Sequence, residues 1–284
     1  MQPVDTGYAR PRDPVELWLA RQWQQVLGFG VGITENFFGI GGNSLDAARI
    51  INAVLEEFGV QLPLNVMTES PTVEGLAARL RDHNERLSGP LVEIQHGDGT
   101  PLFLIHPDDG QIGSFCHLVQ ALGEELPVFG LQAAGLYTDT EPARTVPAMA
   151  GTYLDAIRAV QPTGPYLLGG CGIGAAIAYE LSTRLDPAEV RLLAAIDPDL
   201  VQPQRTEPEI PQLPGEKPEF AERALRVWKA NRKAVVGWEP RQYSGTLDVF
   251  VSRQPAVDWP ATEVRVHECA DGRRLAHLLR ERIG

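Results

Sequence analysis

The hydrophobic pattern changes its period once along the chain. Up to residue 84, apolar positions recur with a helical period. Leu17, Leu19, Ala20, Trp23, Val26 and Leu27 mark a helix over Pro14–Leu27, and Leu45, Ala48, Ile51, Val54 and Leu55 mark one over Ser44–Phe58. A third starts near Ser70–Thr72, capped by Ser or Thr, and runs to about His83. A glycine-rich loop, Gly28–Asn43, joins the first two. About 80 residues of this kind suit a small all-α, four-helix-type bundle with three main helices. Residues 85–92 read as a linker. Beyond them, short apolar runs alternate with amphipathic helices: Pro101–His106, Ile112–Leu122, Pro127–Leu131, Val146–Val160, Tyr166–Gly169, Ala175–Leu185 and Arg191–Ile196. Then follow Ala224–Val236, strands at Thr246–Ser252 and Glu263–Glu268, and a helix near Arg273–Arg282. Alternation of this kind predicts a mostly parallel sheet with helices on both faces over residues 93–284. The Pro-, Glu- and Gln-rich stretch Gln202–Lys217 reads as a surface excursion.

Composition narrows the function classes. The 284 residues are 43 % hydrophobic and 22 % charged, an ordinary globular balance. A net charge of −12 argues against nucleic acid or an anionic membrane as partner. No apolar run approaches the roughly 20 residues of a membrane span, and the N-terminal residues lack the basic and apolar regions of a signal peptide, so a cytoplasmic location is expected. Cys116, Cys171 and Cys269 are too few and too scattered for a disulfide framework or a zinc site, and no metal is expected.

Two motifs carry chemistry. In the first, Asn36 to Leu45, the aromatics Phe37 and Phe38 anchor a loop, Gly41 and Gly42 let it turn, and Ser44 is expected at the helix N-cap. A helix start favours an incoming phosphate. Taken alone, the motif is equally a capped helix after a glycine loop. It closely resembles the attachment motif of peptidyl carrier proteins of nonribosomal peptide synthetases. Residues 11–16, 26–28 and 70–77 extend the resemblance across 9–84, with Asn43 where His or Asp is commoner. The resemblance implies that Ser44 carries 4′-phosphopantetheine, whose thiol holds an acyl, aminoacyl or peptidyl thioester. It also implies a phosphopantetheinyl transferase and upstream adenylation and condensation domains as partners.

The second motif, Gly170-Cys171-Gly172-Ile173-Gly174, lies between a predicted strand and a predicted helix, the context of the G-x-S-x-G nucleophile elbow. With residues 103–107 and 156–170, it resembles the thioesterase domains that end these synthetases. The resemblance implies an α/β-hydrolase fold, an acid at Asp197, and an oxyanion loop after His106-Pro107 that works with the N–H of Ile173. Here the residues depart from the family. The nucleophile position is Gly172, which has no atom to attack a thioester. Cys171 is one place early and is the alternative nucleophile. The slot for the histidine base falls near Gly272 or Arg273, with His267 before it and His277 on the final helix. Asp108 and Asp109 replace small neutral residues in the oxyanion loop, where their charge opposes an oxyanion unless both point to water. One helix in the lid region indicates a reduced lid.

Three readings follow: a carrier joined to a degenerate, non-hydrolytic thioesterase-like domain that docks the carrier or a tailoring enzyme; a product-releasing thioesterase or cyclase using Cys171 and Asp197; or a chain whose native nucleophile was replaced by glycine to trap a complex.

Overall fold

A computed structural model describes residues 9–58, 60, 62, 65–83, 89–123, 125–136, 138, 140–198, 218–252 and 259–284. It divides into two compact units, the first ending at Ser88 and the second beginning at Gly89.

The described first unit is helical. α1 (Pro14–Leu27) starts where the Asp13 carboxylate accepts the Glu16 N–H and Pro14 occupies the first turn; it stops at Gly28, whose φ of 83° favours glycine. Its Val15, Leu19 and Trp23 meet Ile50 and Val54 of α2 (Ser44–Phe58) and Val73, Leu76 and Leu80 of α4 (Val73–His83) in one core. Thr72 caps α4 by accepting the Gly75 N–H at 3.1 Å. The one-turn α3 (Val66–Glu69), which no periodicity announces, places Val66 and Met67 in that core. The loop before α2 is held at both ends, Phe37 N–H on Pro71 O (2.7 Å) and Glu74 N–H on Ile33 O (3.0 Å). Beneath it, Glu16 is fully buried and salt-bridged to Arg12 at 2.5 Å.

In the second unit the sheet order is β1-β3-β2-β4-β5-β6-β7. The strands are β1 (Leu91–Gln95), β2 (Leu102–Ile105), β3 (Val128–Leu131), β4 (Tyr166–Cys171), β5 (Val190–Ile196), β6 (Tyr243–Val251) and β7 (Ala261–Glu268). Every pairing is parallel except β1 with β3. β1 is a correction: Leu91 and Val92 belong to a strand, not a linker, and Gly89 O and Pro90 O already accept hydrogen bonds from Gln132. It is a half-exposed edge strand in which Glu93 faces water, so no apolar run betrays it.

α6 (Val146–Val160) and α7 (Ile173–Ser182) cover one face with α8 (Pro218–Val236), while α5 (Cys116–Leu122) and α9 (Gly272–Ile283) cover the other. All ten residues of α7 are buried, as befits the helix behind the central strands. The expected fold, a parallel sheet with helices on both faces, is observed. Residues 202–217, read as a surface excursion, lie outside the described residues. Among the described residues, no helix is long and apolar enough to cross a membrane.

Candidate functional site

The first motif folds into a compact loop. The Asn36 carboxamide accepts the N–H groups of Phe38 (3.1 Å) and Gly39 (3.0 Å), turning the chain. Phe37 is buried edge-on to Trp23 at 4.8 Å. Gly42 lies against the Phe37 ring so closely that a β-carbon would stand 2.5 Å from it. The expected capping role of Ser44 is corrected. Asn43 is the cap: its Oδ1 accepts from Leu45 (2.9 Å) and Asp46 (3.1 Å), and its amide donates to Asp46 at 2.6 Å. Ser44 is the first helical residue and exposed. With Asn43 satisfying the backbone, the serine hydroxyl is left to solvent, followed in the helix by the exposed Leu45 (63 % exposed). An accessible hydroxyl at the positive end of a helix fits a phosphodiester.

The second motif forms a sharp strand-to-helix turn. Cys171 is the last residue of β4, Gly172 the apex, and Ile173 opens α7. Gly170 and Gly174 are required by close approach: a β-carbon at 170 would stand 2.0 Å from Gly174 O, and one at 174 would stand 2.4 Å from Ile105 O. Gly172 has φ 57° and ψ −120°, a strained backbone for any residue with a side chain. Its N–H donates to Ile196 O at 3.1 Å.

The loop after His106-Pro107 defines the site. Neither carboxylate there points freely to water. Asp108 is buried (9 % exposed), and its Oδ2 lies 2.7 Å from the point where a β-carbon at 172 would stand. A side chain at 172 would therefore meet this carboxylate oxygen and require it to shift. α8 holds it there: Arg232 Nη1 is 3.1 Å from Asp108 Oδ1, and Asn231 donates to Asp108 O at 3.0 Å. Gly110 lets α8 come this near, since a β-carbon on it would meet Val227 at 2.6 Å. Asp109 accepts the Gln111 N–H at 2.9 Å; burial, joined by the Asp108 charge, pushes its carboxyl above the usual range.

His106 is buried and serves the loop. Its Nδ1 lies 2.7 Å from Pro107 O and so carries the proton, and its Nε2 accepts from the Tyr153 hydroxyl at 2.7 Å. Burial pushes its pKa down to about 4.

Asp197 follows β5 with φ 39°, the one positive φ among described non-glycine residues. Its Oδ1 accepts the Ser252 N–H at 2.6 Å. Asp197 lines a cavity of about 310 Å³ with Cys171, Ile196, Phe250, Cys269 and Asp271. Gly272 is on its wall, so the slot expected for a base opens on it. None of the described imidazoles lines it. His267 is in β7, stacked on Phe250 and 2.7 Å from Asp248 Oδ1, while His277 is on the exposed side of α9. Cys269 shares the cavity, and burial pushes its thiol up.

The structure therefore brings Gly172, Asp108 and Ile173 together at the turn, and Cys171 with Asp197 around the cavity. Sequence reasoning missed Asn43, Asn231 and Arg232. Asn43 sat one place from the expected cap. The two α8 residues carry no signal of their own, because only folding sets them on residue 108.

The thioesterase-domain family matches residues 100–238, and the phosphopantetheine-attachment-site family matches residues 17–80. A dimodular nonribosomal peptide synthase of Bacillus subtilis (strain 168) is 37 % identical over 192 residues, 66 % of this chain and 8 % of that protein. The chain thus spans less than a tenth of that relative's length. A four-domain nonribosomal peptide synthetase in its holo form, bound to AMP and glycine, superposes with TM-score 0.69 at 23 % identity, covering 99 % of this chain and 26 % of that one. The NocB thioesterase domain, in covalent complex with a fluorophosphonate nocardicin G analogue, superposes with TM-score 0.55 at 21 % identity, covering 66 % of this chain and 96 % of that one. At these identities the two structures speak for the fold.

Proposed function

We propose a function for a chain that is a phosphopantetheine carrier domain followed by a thioesterase-family domain, with nonribosomal peptide synthetases as its homologues: it holds a thioester and does not hydrolyse it. Carrier domains of this family bear phosphopantetheine covalently, and we assign the attachment to the exposed hydroxyl of Ser44. The arm supplies a thiol that holds an acyl, aminoacyl or peptidyl group. A phosphopantetheinyl transferase installs it, and upstream adenylation and condensation domains load it, in the cytoplasm. The carrier domain spans residues 1–84 in this reading.

The second domain is read as non-hydrolytic, and one observation carries that reading: a side chain at 172 would meet Asp108 Oδ2 and require it to shift. Three consequences follow. No attacking atom stands at the apex. A carboxylate stands beside the apex, where this family's chemistry builds negative charge. Finally, α8 holds that loop in place through Arg232 and Asn231.

The fit of Asp108 to a side-chain-free residue 172 speaks against a native nucleophile replaced by glycine. The position of Cys171 at the end of β4, one residue before the apex of the turn, speaks against a cysteine thioesterase. What the domain retains is a folded surface that docks the carrier or a tailoring enzyme acting on the tethered group.

The test is to supply an acyl-N-acetylcysteamine thioester to the full chain and to follow free acid by mass spectrometry. Free acid forming no faster than in buffer is expected; sustained turnover refutes the reading.

A further inference from the structure

The cavity at the C-terminal ends of β4–β7 adjoins the turn through Cys171. Gly172 and Asp108 do not line it; its walls are Phe115, Leu118, Cys171, Ile196, Phe250 and Leu275. An apolar cavity of about 150 Å³ accepts one benzene ring, and small-ligand pockets start near ~300 Å³. At about 310 Å³ this one takes a single residue with a side chain up to an aromatic ring, and not a peptide.

Its polar groups give the second half of the recognition. Ser114, Ser252, Asp197 and Asp271 stand among the lining residues. Each aspartate spends Oδ1 on a backbone N–H, Asp197 on Ser252 and Asp271 on Arg274, which holds both side chains in one orientation. Asp197 is held there at the cost of a left-handed backbone, the kind of strain that collects at binding sites. Among the described residues that line the cavity, Asp197 and Asp271 are the charged ones, and both are acidic. Apolar walls, room for one residue and a net negative charge together describe a small apolar group that carries one ammonium.

The geometry points to this cavity as a binding site for a single aminoacyl group with a free α-amine, presented as a thioester. The inference rests on the carrier reading and narrows it: among acyl, aminoacyl and peptidyl groups, the cavity selects the aminoacyl one. The site binds and does not cleave; it shelters the group while other enzymes act on it.

The experiment uses the full chain and two probes, phenylalanyl-N-acetylcysteamine thioester and its N-acetylated counterpart, with binding followed by NMR. The free amine is expected to bind about threefold to tenfold more tightly than the acetylated probe. Asp197→Asn with Asp271→Asn keeps both backbone hydrogen bonds and should bring the two probes to parity. Leu275→Trp, which fills the cavity from a half-exposed helix position, should abolish binding of both, and circular dichroism verifies its fold. Equal or tighter binding of the acetylated probe, undiminished binding to Leu275→Trp, or no binding of either probe at millimolar concentration overturns the inference. Free acid is measured in the same samples. Its appearance counts against the non-hydrolytic reading, while the pattern of binding decides the cavity alone.

Discussion

Asp108 and Gly172 are fitted to each other. Oδ2 of the aspartate lies 2.7 Å from the place of a β-carbon at 172, and Arg232 holds the carboxylate there from its other oxygen at 3.1 Å. The side-chain-free apex and the carboxylate after His106-Pro107 therefore meet at one point. A side chain added at 172 would displace the Asp108 carboxylate.

Gly172→Ala is accordingly expected to destabilise the chain by about 1–3 kcal/mol, from backbone strain and displacement of Asp108. Adding Asp108→Ala should return part of this loss. Chemical denaturation of the two single variants and the double variant gives the coupling, expected at about 0.5–3 kcal/mol in the compensating sense. Strict additivity would mean that the two positions do not touch.

Arg232→Met leaves Asp108 without its salt-bridge partner from α8. A loss of about 2–4 kcal/mol is expected for a pair this little exposed (10 % and 12 %). Combining it with Asp108→Ala should cost less than Arg232→Met alone, because no uncompensated charge stays buried. Hydrogen exchange in α8 should rise in the single variant and fall back in the double.

At the carrier loop, the roles of two adjacent residues separate. Asn43→Ala removes the cap of α2 and should cost about 1 kcal/mol in thermal or chemical unfolding. Ser44→Ala should leave stability within about 0.5 kcal/mol and abolish the mass gained on incubation with coenzyme A and a phosphopantetheinyl transferase. Labelling that survives Ser44→Ala would remove the assignment.

His106 sets a pH dependence. Burial holds its pKa at about 4, below the ordinary imidazole value of 6.5. The unfolded chain therefore binds the proton more readily, so the stability tied to neutral His106 is full above about pH 6.5 and is lost as pH falls toward 4. The shift corresponds to a loss on the order of 3 kcal/mol. Urea midpoints of wild type and His106→Gln between pH 7 and 4 should converge on acidification; curves that stay parallel would contradict the assignment.

The sequence was most legible where one physical signal acts alone. Asp13 with Pro14 and then Gly28 bracket α1, and Thr145 with Pro147 open α6, so both helices were read with their observed bounds. β1 escaped because Glu93 and Gln95 break its apolar run, and α3 because one turn carries no period. At the site, Gly172 was identifiable from the spacing of Gly170 and Gly174, whose need for close backbone approach the structure explains. The direction of Asp108 was not. A carboxylate after His-Pro reads as a solvent group until a guanidinium 124 positions later folds against it, and no local pattern ties Arg232 to that loop.

The central claim is tested most directly by the lifetime of the chain's own thioester. Ser44 is loaded with an acylated phosphopantetheine arm, and loss of the acyl mass is followed by intact-mass spectrometry beside the same acyl thioester of coenzyme A in the same buffer. The account predicts the same half-life within about twofold, for wild type and for Gly172→Ser alike. Acyl loss accelerated about a hundredfold or more in the wild-type chain would contradict it.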